Sequence, residues 1–255
     1  MACTIAIAGK GGTGKTTLAG LLIDYLAREG MTPVLAVDAD ANSNLNEVLG
    51  SKIDKTLGEL RETAKNAESD PDTPIQPGLT KQEYLSHSFI DALTEEDDFD
   101  LLVMGRTEGE GCYCFINDLL KAEIQRYSKN YKYVVVDNEA GMEHISRGVL
   151  PDIDMILVVS DPTRRGVQAA ARIQELAFEL KKKVAAVKLI VNRAPGGELS
   201  EGVSEEIARH ALELAGVVPS DENIFLFDSE GRPMVQLPED SPARKAFFEI
   251  LRRIL

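Results

Sequence analysis

Two periods of apolar residues alternate along this chain. Runs such as Thr4-Ile5-Ala6-Ile7-Ala8 and Tyr133-Val134-Val135-Val136 are apolar without interruption, whereas the stretch after the first carries Leu18, Leu21, Leu22, Tyr25 and Leu26 at helical spacing. Uninterrupted β-rich runs suit strands buried on both faces, and the 3.6-residue spacing suits helices with one buried stripe. The pattern predicts strands near Thr4–Ala8, Val34–Val37, Leu101–Met104, Tyr133–Asp137, Met155–Val159, Lys188–Val191 and Gly216–Val218. It predicts helices over Lys15–Arg28, Lys81–Leu93, Asn117–Tyr127, Gly166–Lys181, Gly202–Ala215 and Pro242–Leu255. Such alternation implies an α/β fold, a single doubly wound, mainly parallel sheet of about seven strands flanked by helices. One domain over 1–255 is expected, with the polar stretch 51–77 as a surface excursion.

Chemistry enters where the first strand meets the first helix. Gly9-Lys10-Gly11-Gly12-Thr13-Gly14-Lys15-Thr16-Thr17 matches the phosphate-loop pattern G-x-x-x-x-G-K-[ST] in the strand-loop-helix setting that the pattern needs. Glycines let successive backbone N–H groups face one anion, and the helix N-terminus adds partial positive charge. Gly11, Gly12, Thr13 and Gly14 would cradle the phosphates, Lys15 would meet the β- and γ-phosphates, Thr16 would ligate magnesium and Thr17 would sit near the α-phosphate. The chain is thus expected to be a P-loop NTPase.

Ligands of a doubly wound sheet bind at the carboxyl ends of its strands. Asp38 and Asp40 follow Val34-Leu35-Ala36-Val37, and Asp137 closes the run beginning at Tyr133. A carboxylate at that place is suited to the water shell of magnesium, which Asp137 fits, and one of the other two could orient the attacking water. Late in the chain, Asn192-Arg193-Ala194-Pro195 lacks the acid that commonly reads guanine, so adenine is expected, with the Asn192 amide able to pair with its edge.

Lys10 is not needed to cradle phosphates in its own chain and points to a second copy. The stretch Lys10 to Thr17 resembles the deviant Walker A loop of the ATPases that include the septum-site regulator MinD, the partition ATPases, the nitrogenase iron protein and the nickel-insertion ATPases. That resemblance implies an ATP-linked homodimer in which Lys10 reaches the partner's nucleotide. It implies Asp38-Ala39-Asp40 as a first switch with Asp40 placing the water, Asp137 to Glu143 as Walker B running into a second switch, and Asn192-Arg193 as the adenine contact. The segment from Gly105 to Cys114, which holds Gly111-Cys112-Tyr113-Cys114, together with Asp137 onward is similar to the CooC-type accessory ATPases of carbon monoxide dehydrogenase and acetyl-CoA synthase. Two thiolates per chain, doubled across a dimer axis, would give four ligands for Ni²⁺ or Zn²⁺. The resemblance therefore implies a metallochaperone that delivers nickel to a client enzyme.

Composition narrows the alternatives. A net charge of −14 disfavours a nucleic-acid surface. No long apolar span or leader is seen, so a cytoplasmic protein without stable membrane association is expected. A nitrogenase iron protein-like [4Fe-4S] reductase is one alternative, although 137–148 holds no second cysteine. A MinD-like positioning ATPase is the other, since Phe247, Phe248, Ile250, Leu251, Ile254 and Leu255 with Arg252 and Arg253 imitate a membrane-binding helix. Packing of that helix on the sheet is the simpler expectation.

Overall fold

The computed structural model describes residues 2–40, 42–60, 63, 81–105, 122–139, 152–179 and 184–255. Eight strands form one sheet in the order β3-β4-β2-β5-β1-β6-β7-β8. These are β1 (Cys3–Gly9), β2 (Val34–Ala39), β3 (Leu93–Glu95), β4 (Phe99–Val103), β5 (Tyr133–Asn138), β6 (Ile153–Ser160), β7 (Val184–Ala194) and β8 (Leu214–Pro219). All neighbours are parallel except β3, which pairs antiparallel with β4 at the edge through Thr94 and Leu101. The sequence pattern expects seven strands because β3, three residues long and partly polar, is too short to show a period.

The helices are α1 (Lys15–Arg28), α2 (Leu45–Leu49), α3 (Lys81–Asp91), α4 (Arg164–Glu179), α5 (Glu201–Arg209), α6 (Glu222–Ser229) and α7 (Pro242–Ile254), with further helical turns over 57–60 and 122–127. Strand alternation splits the core into two layers. Ile5 and Ile7 of β1 face one layer with the stripe of α1 and with Phe247, Ile250 and Leu251 of α7. Ala6 and Ala8 face the other, with Val167, Ala170 and Ala171 of α4. Both faces of the central strands are covered, which explains why their sequences run apolar without alternation.

Three local features have physical causes. The segment expected as one helix over Gly202–Ala215 stops at Arg209: Ala211 turns to a φ of 49°, and Leu214 is drawn into β8 opposite Leu189. Cross-strand pairing outweighs helix propensity there. At the start of the polar excursion Leu57 and Leu60 are buried in the core while Lys52, Asp54, Lys55 and Glu59 are exposed; residues 61, 62 and 64–77 lie outside the described set. The α7 helix is capped by Ser241, whose hydroxyl accepts the Arg244 N–H at 3.2 Å, and its apolar face lies against the sheet as expected. Arg244 anchors it further, pairing with Asp24 of α1 at 3.0 Å and donating to the Leu237 carbonyl at 2.7 Å.

Candidate functional site

The central strand β1 delivers the glycine loop to the crest of the sheet. A side chain at Gly9 would stand 2.4 Å from the Val159 carbonyl oxygen, so the loop leaves the sheet where only glycine fits. Gly14, at a φ of 89°, turns the chain into α1 and leaves the helix start without a side-chain cap. The first N–H groups of α1 are thereby kept for an anion. Within the loop the Thr13 hydroxyl donates to the Lys10 carbonyl at 2.9 Å. Lys15, 8% exposed, folds back so that its ammonium donates to the same carbonyl at 3.4 Å. Lys10 itself is exposed.

Two residues from β7 grip this loop from the side. The Asn192 amide donates to the Thr13 carbonyl at 2.8 Å, and the Arg193 guanidinium donates to the Gly12 carbonyl at 2.9 Å. Arg193 takes a left-handed φ of 58° to do so. Both residues, expected as base contacts, here hold the shape of the phosphate loop, and one amide N–H of Asn192 is committed to that task.

The three aspartates stand at the ends of β2 and β5, where Asp38 and Asp137 are register partners. Asp38 is fully buried, and its carboxylate accepts the N–H groups of Asp40 at 3.0 Å and Leu45 at 2.9 Å. It therefore orders the start of α2 and carries Asp40 into place. Burial pushes its carboxyl up to about 6. Asp137 is pushed up to about 7, first by burial and then by the charges of Asp38 and Asp40, while the Thr16 hydroxyl and Lys15 pull the other way. The Oδ1 atom of Asp137 is buried with no hydrogen-bond partner. A buried carboxylate oxygen left bare beside a threonine hydroxyl fits a divalent cation and its water shell. The residues present thus suit magnesium, which Thr16 and Asp137 would hold.

Asp40, unlike Asp38, lines the main cavity. That cavity, of about 560 Å³, runs from Gly11, Lys15 and Thr16 past Asp40 and Glu139 to Arg232. A second cavity of about 360 Å³ opens beside it between Asn192, Pro219, Ile224 and Phe225. Thr17, Arg193 and Asp228 line both, so the two cavities adjoin. The far wall, made by the end of β8 and by α6, goes unnoticed in a sequence reading centred on acids. Val217-Val218-Pro219 ends a strand on the same crest and is the signal that points to it.

Cys112 and Cys114 lie outside the described residues, as does the second switch beyond Glu139. Among the described residues no group of three or more His, Cys, Asp or Glu side chains is placed to hold a metal ion, and no helix is long and apolar enough to cross a membrane.

Comparison with known proteins agrees with this geometry. Residues 4–234 match the CobQ/CobB/MinD/ParA nucleotide binding domain. An uncharacterized ATP-binding protein of Methanocaldococcus jannaschii is 39% identical over 251 residues, covering 98% of each chain. The carbon monoxide dehydrogenase accessory protein CooC of Rhodospirillum rubrum is 30% identical over 232 residues, covering 84% of this chain and 88% of its own. A chain of the Aquifex aeolicus MinC:MinD cell division protein complex superposes with a TM-score of 0.71 at 25% identity, covering 99% of this chain and 95% of that one. Because the family match runs through every strand of the sheet and the whole crest that carries the glycine loop, the chain belongs to the CobQ/CobB/MinD/ParA nucleotide-binding family.

Proposed function

We propose that this protein is an ATP-hydrolysing, dimeric metallochaperone of the CooC type that delivers nickel during maturation of carbon monoxide dehydrogenase or acetyl-CoA synthase. The observation that carries the metal half is Cys112-Tyr113-Cys114, in a chain 30% identical to a CooC protein. Nickel, or zinc in its place, is cargo held by Cys112 and Cys114 of two subunits.

The ATPase half rests on the described site. The loop N–H groups and Lys15 bind the triphosphate, and Lys15 exchanges the Lys10 carbonyl for the β- and γ-phosphates as it does so. Magnesium, held through Thr16 and Asp137, supplies charge neutralisation on those phosphates. Asp40 orients a water whose oxygen bonds to the γ-phosphorus as the bond to the β–γ bridging oxygen breaks, giving ADP and phosphate. Lys10, exposed and not needed by its own loop, reaches the partner's nucleotide. The adenine ring occupies the second cavity beside Asn192 and Arg193. ATP and metal both favour the dimer, so each tightens the other by linkage. Loss of the γ-phosphate contacts loosens the dimer and frees the metal for the client.

Metal titration with and without ATP tests this reading. One Ni²⁺ per two chains is expected, tighter with ATP, and lost in Cys112→Ala while nucleotide binding persists. Wild-type nickel affinity in Cys112→Ala refutes the cysteine assignment. The MinD match favours a second reading, a positioning ATPase without metal chemistry. ATP-dependent sedimentation with liposomes would support that reading. The burial of Phe247, Ile250 and Leu251 on the sheet argues against it, because that face of α7 is already covered.

A further inference from the structure

Phe225 is the most exposed large apolar side chain among the described residues, at 77%, and it stands on the rim of the second cavity. The other aromatic of its helix, Phe227, is 3% exposed, so α6 buries one ring and presents the other at the mouth of the cavity. Several of the polar groups around it are engaged within the protein. The Asn192 amide donates to the Thr13 carbonyl. The Asp221 carboxylate accepts from the Ser241 hydroxyl at 2.5 Å and from the N–H groups of Asn223 at 2.9 Å and Ala243 at 3.2 Å. The Ser220 hydroxyl donates to the Ala194 carbonyl at 3.4 Å. Pro219 and Ile224 beside it add flat and apolar contact.

We infer that Phe225 is the base-stacking residue of the second cavity and that ring contact with it favours a purine there. This rests on the nucleotide reading above and adds to it how the base is held. A π-face suits any base, but a two-ring purine covers more of it than a pyrimidine does. The two cavities adjoin at Thr17 and Arg193, which sets the ring beside the cavity that holds the phosphate loop. Exposure of Phe225 in the free chain is then the open state of the pocket, closed by the bound base.

Calorimetric titration of the full chain with Mg-ATP, Mg-UTP and Mg-tripolyphosphate tests the inference in the wild type, Phe225→Ala and Phe225→Tyr. Wild type should bind ATP more tightly than UTP. Phe225→Ala should weaken ATP about tenfold, the size of one base–aromatic stack, weaken UTP less and leave tripolyphosphate unchanged. Phe225→Tyr should restore ATP binding. Because the side chain is exposed, urea unfolding should give the same midpoint for all three proteins. Unchanged ATP affinity in Phe225→Ala overturns the inference, and an accompanying loss of ATP-dependent dimerisation would assign the ring to a protein contact instead. Equal losses for ATP and tripolyphosphate also overturn it, since Phe225 would then act through the loop. A wild type that binds neither ATP nor tripolyphosphate removes the nucleotide reading itself, a distinct result.

Discussion

Replacing Asp137 with asparagine should stabilise the ligand-free protein while destroying the metal-dependent part of nucleotide binding. Asp137 is 1% exposed, carries a bare Oδ1 and is pushed from 3.8 up to about 7. At roughly 1.4 kcal/mol per pH unit, a rise of that size corresponds to roughly 4 kcal/mol lost by burying the charge. The sign follows from linkage. Below about pH 4 the carboxyl is protonated whether the chain is folded or not, and its favourable contribution is fully present. As pH rises through the folded value near 7 that contribution is lost. The difference between Asp137→Asn and the wild type is therefore pH dependent: the two should melt together near pH 4, separate between about pH 4 and 7, and differ fully by about pH 8. If half of the penalty is relieved, the variant should melt about 4–8 °C higher at pH 8. Differential scanning calorimetry from about pH 4 to 8 measures this, with Mg-ATP titration as the companion assay. A variant that melts below wild type at the alkaline end, or a difference independent of pH, refutes the argument that a buried, unneutralised carboxylate waits here for a cation.

Other substitutions separate the remaining parts of the site. Lys10→Ala should leave ATP binding by the monomer intact and abolish ATP-dependent dimerisation, as read by light scattering after size exclusion. Gly14→Ala should lose ATP binding, read by calorimetry, and about 1–3 kcal/mol of stability, because the position needs a φ of 89° and a Cβ would meet the Asn192 amide nitrogen at 2.5 Å. Arg244→Ala should cost about 3 kcal/mol in urea unfolding, because it strips the Leu237 carbonyl of its donor and leaves Asp24 only the more exposed Arg28 as a partner. A loss below about 1 kcal/mol would show that the pair does not anchor α7.

By itself the sequence determined what depends on neighbours along the chain. The helix Lys15–Arg28 is legible to the residue, because glycine on one side and an apolar stripe on the other are local signals. The phosphate loop and the strand-end placement of Asp38 and Asp137 are equally local, since a parallel sheet brings its strand ends to one crest. Tertiary structure decided what depends on which strands become neighbours. Only the pairing of β2 with β5 sets Asp38 against Asp137, in a setting where both carboxyls are raised. Only the position of β7 two strands from β1 lets Asn192 and Arg193 reach loop carbonyls at sequence separations of 179 and 181. Pairing with β7 likewise ended α5 early and made β8, whose end brings Pro219 and Phe225 to the cavity. No spacing rule along one chain encodes such contacts, because they are set by the order in which strands share hydrogen bonds, and that order is decided by burying both faces of the sheet at once.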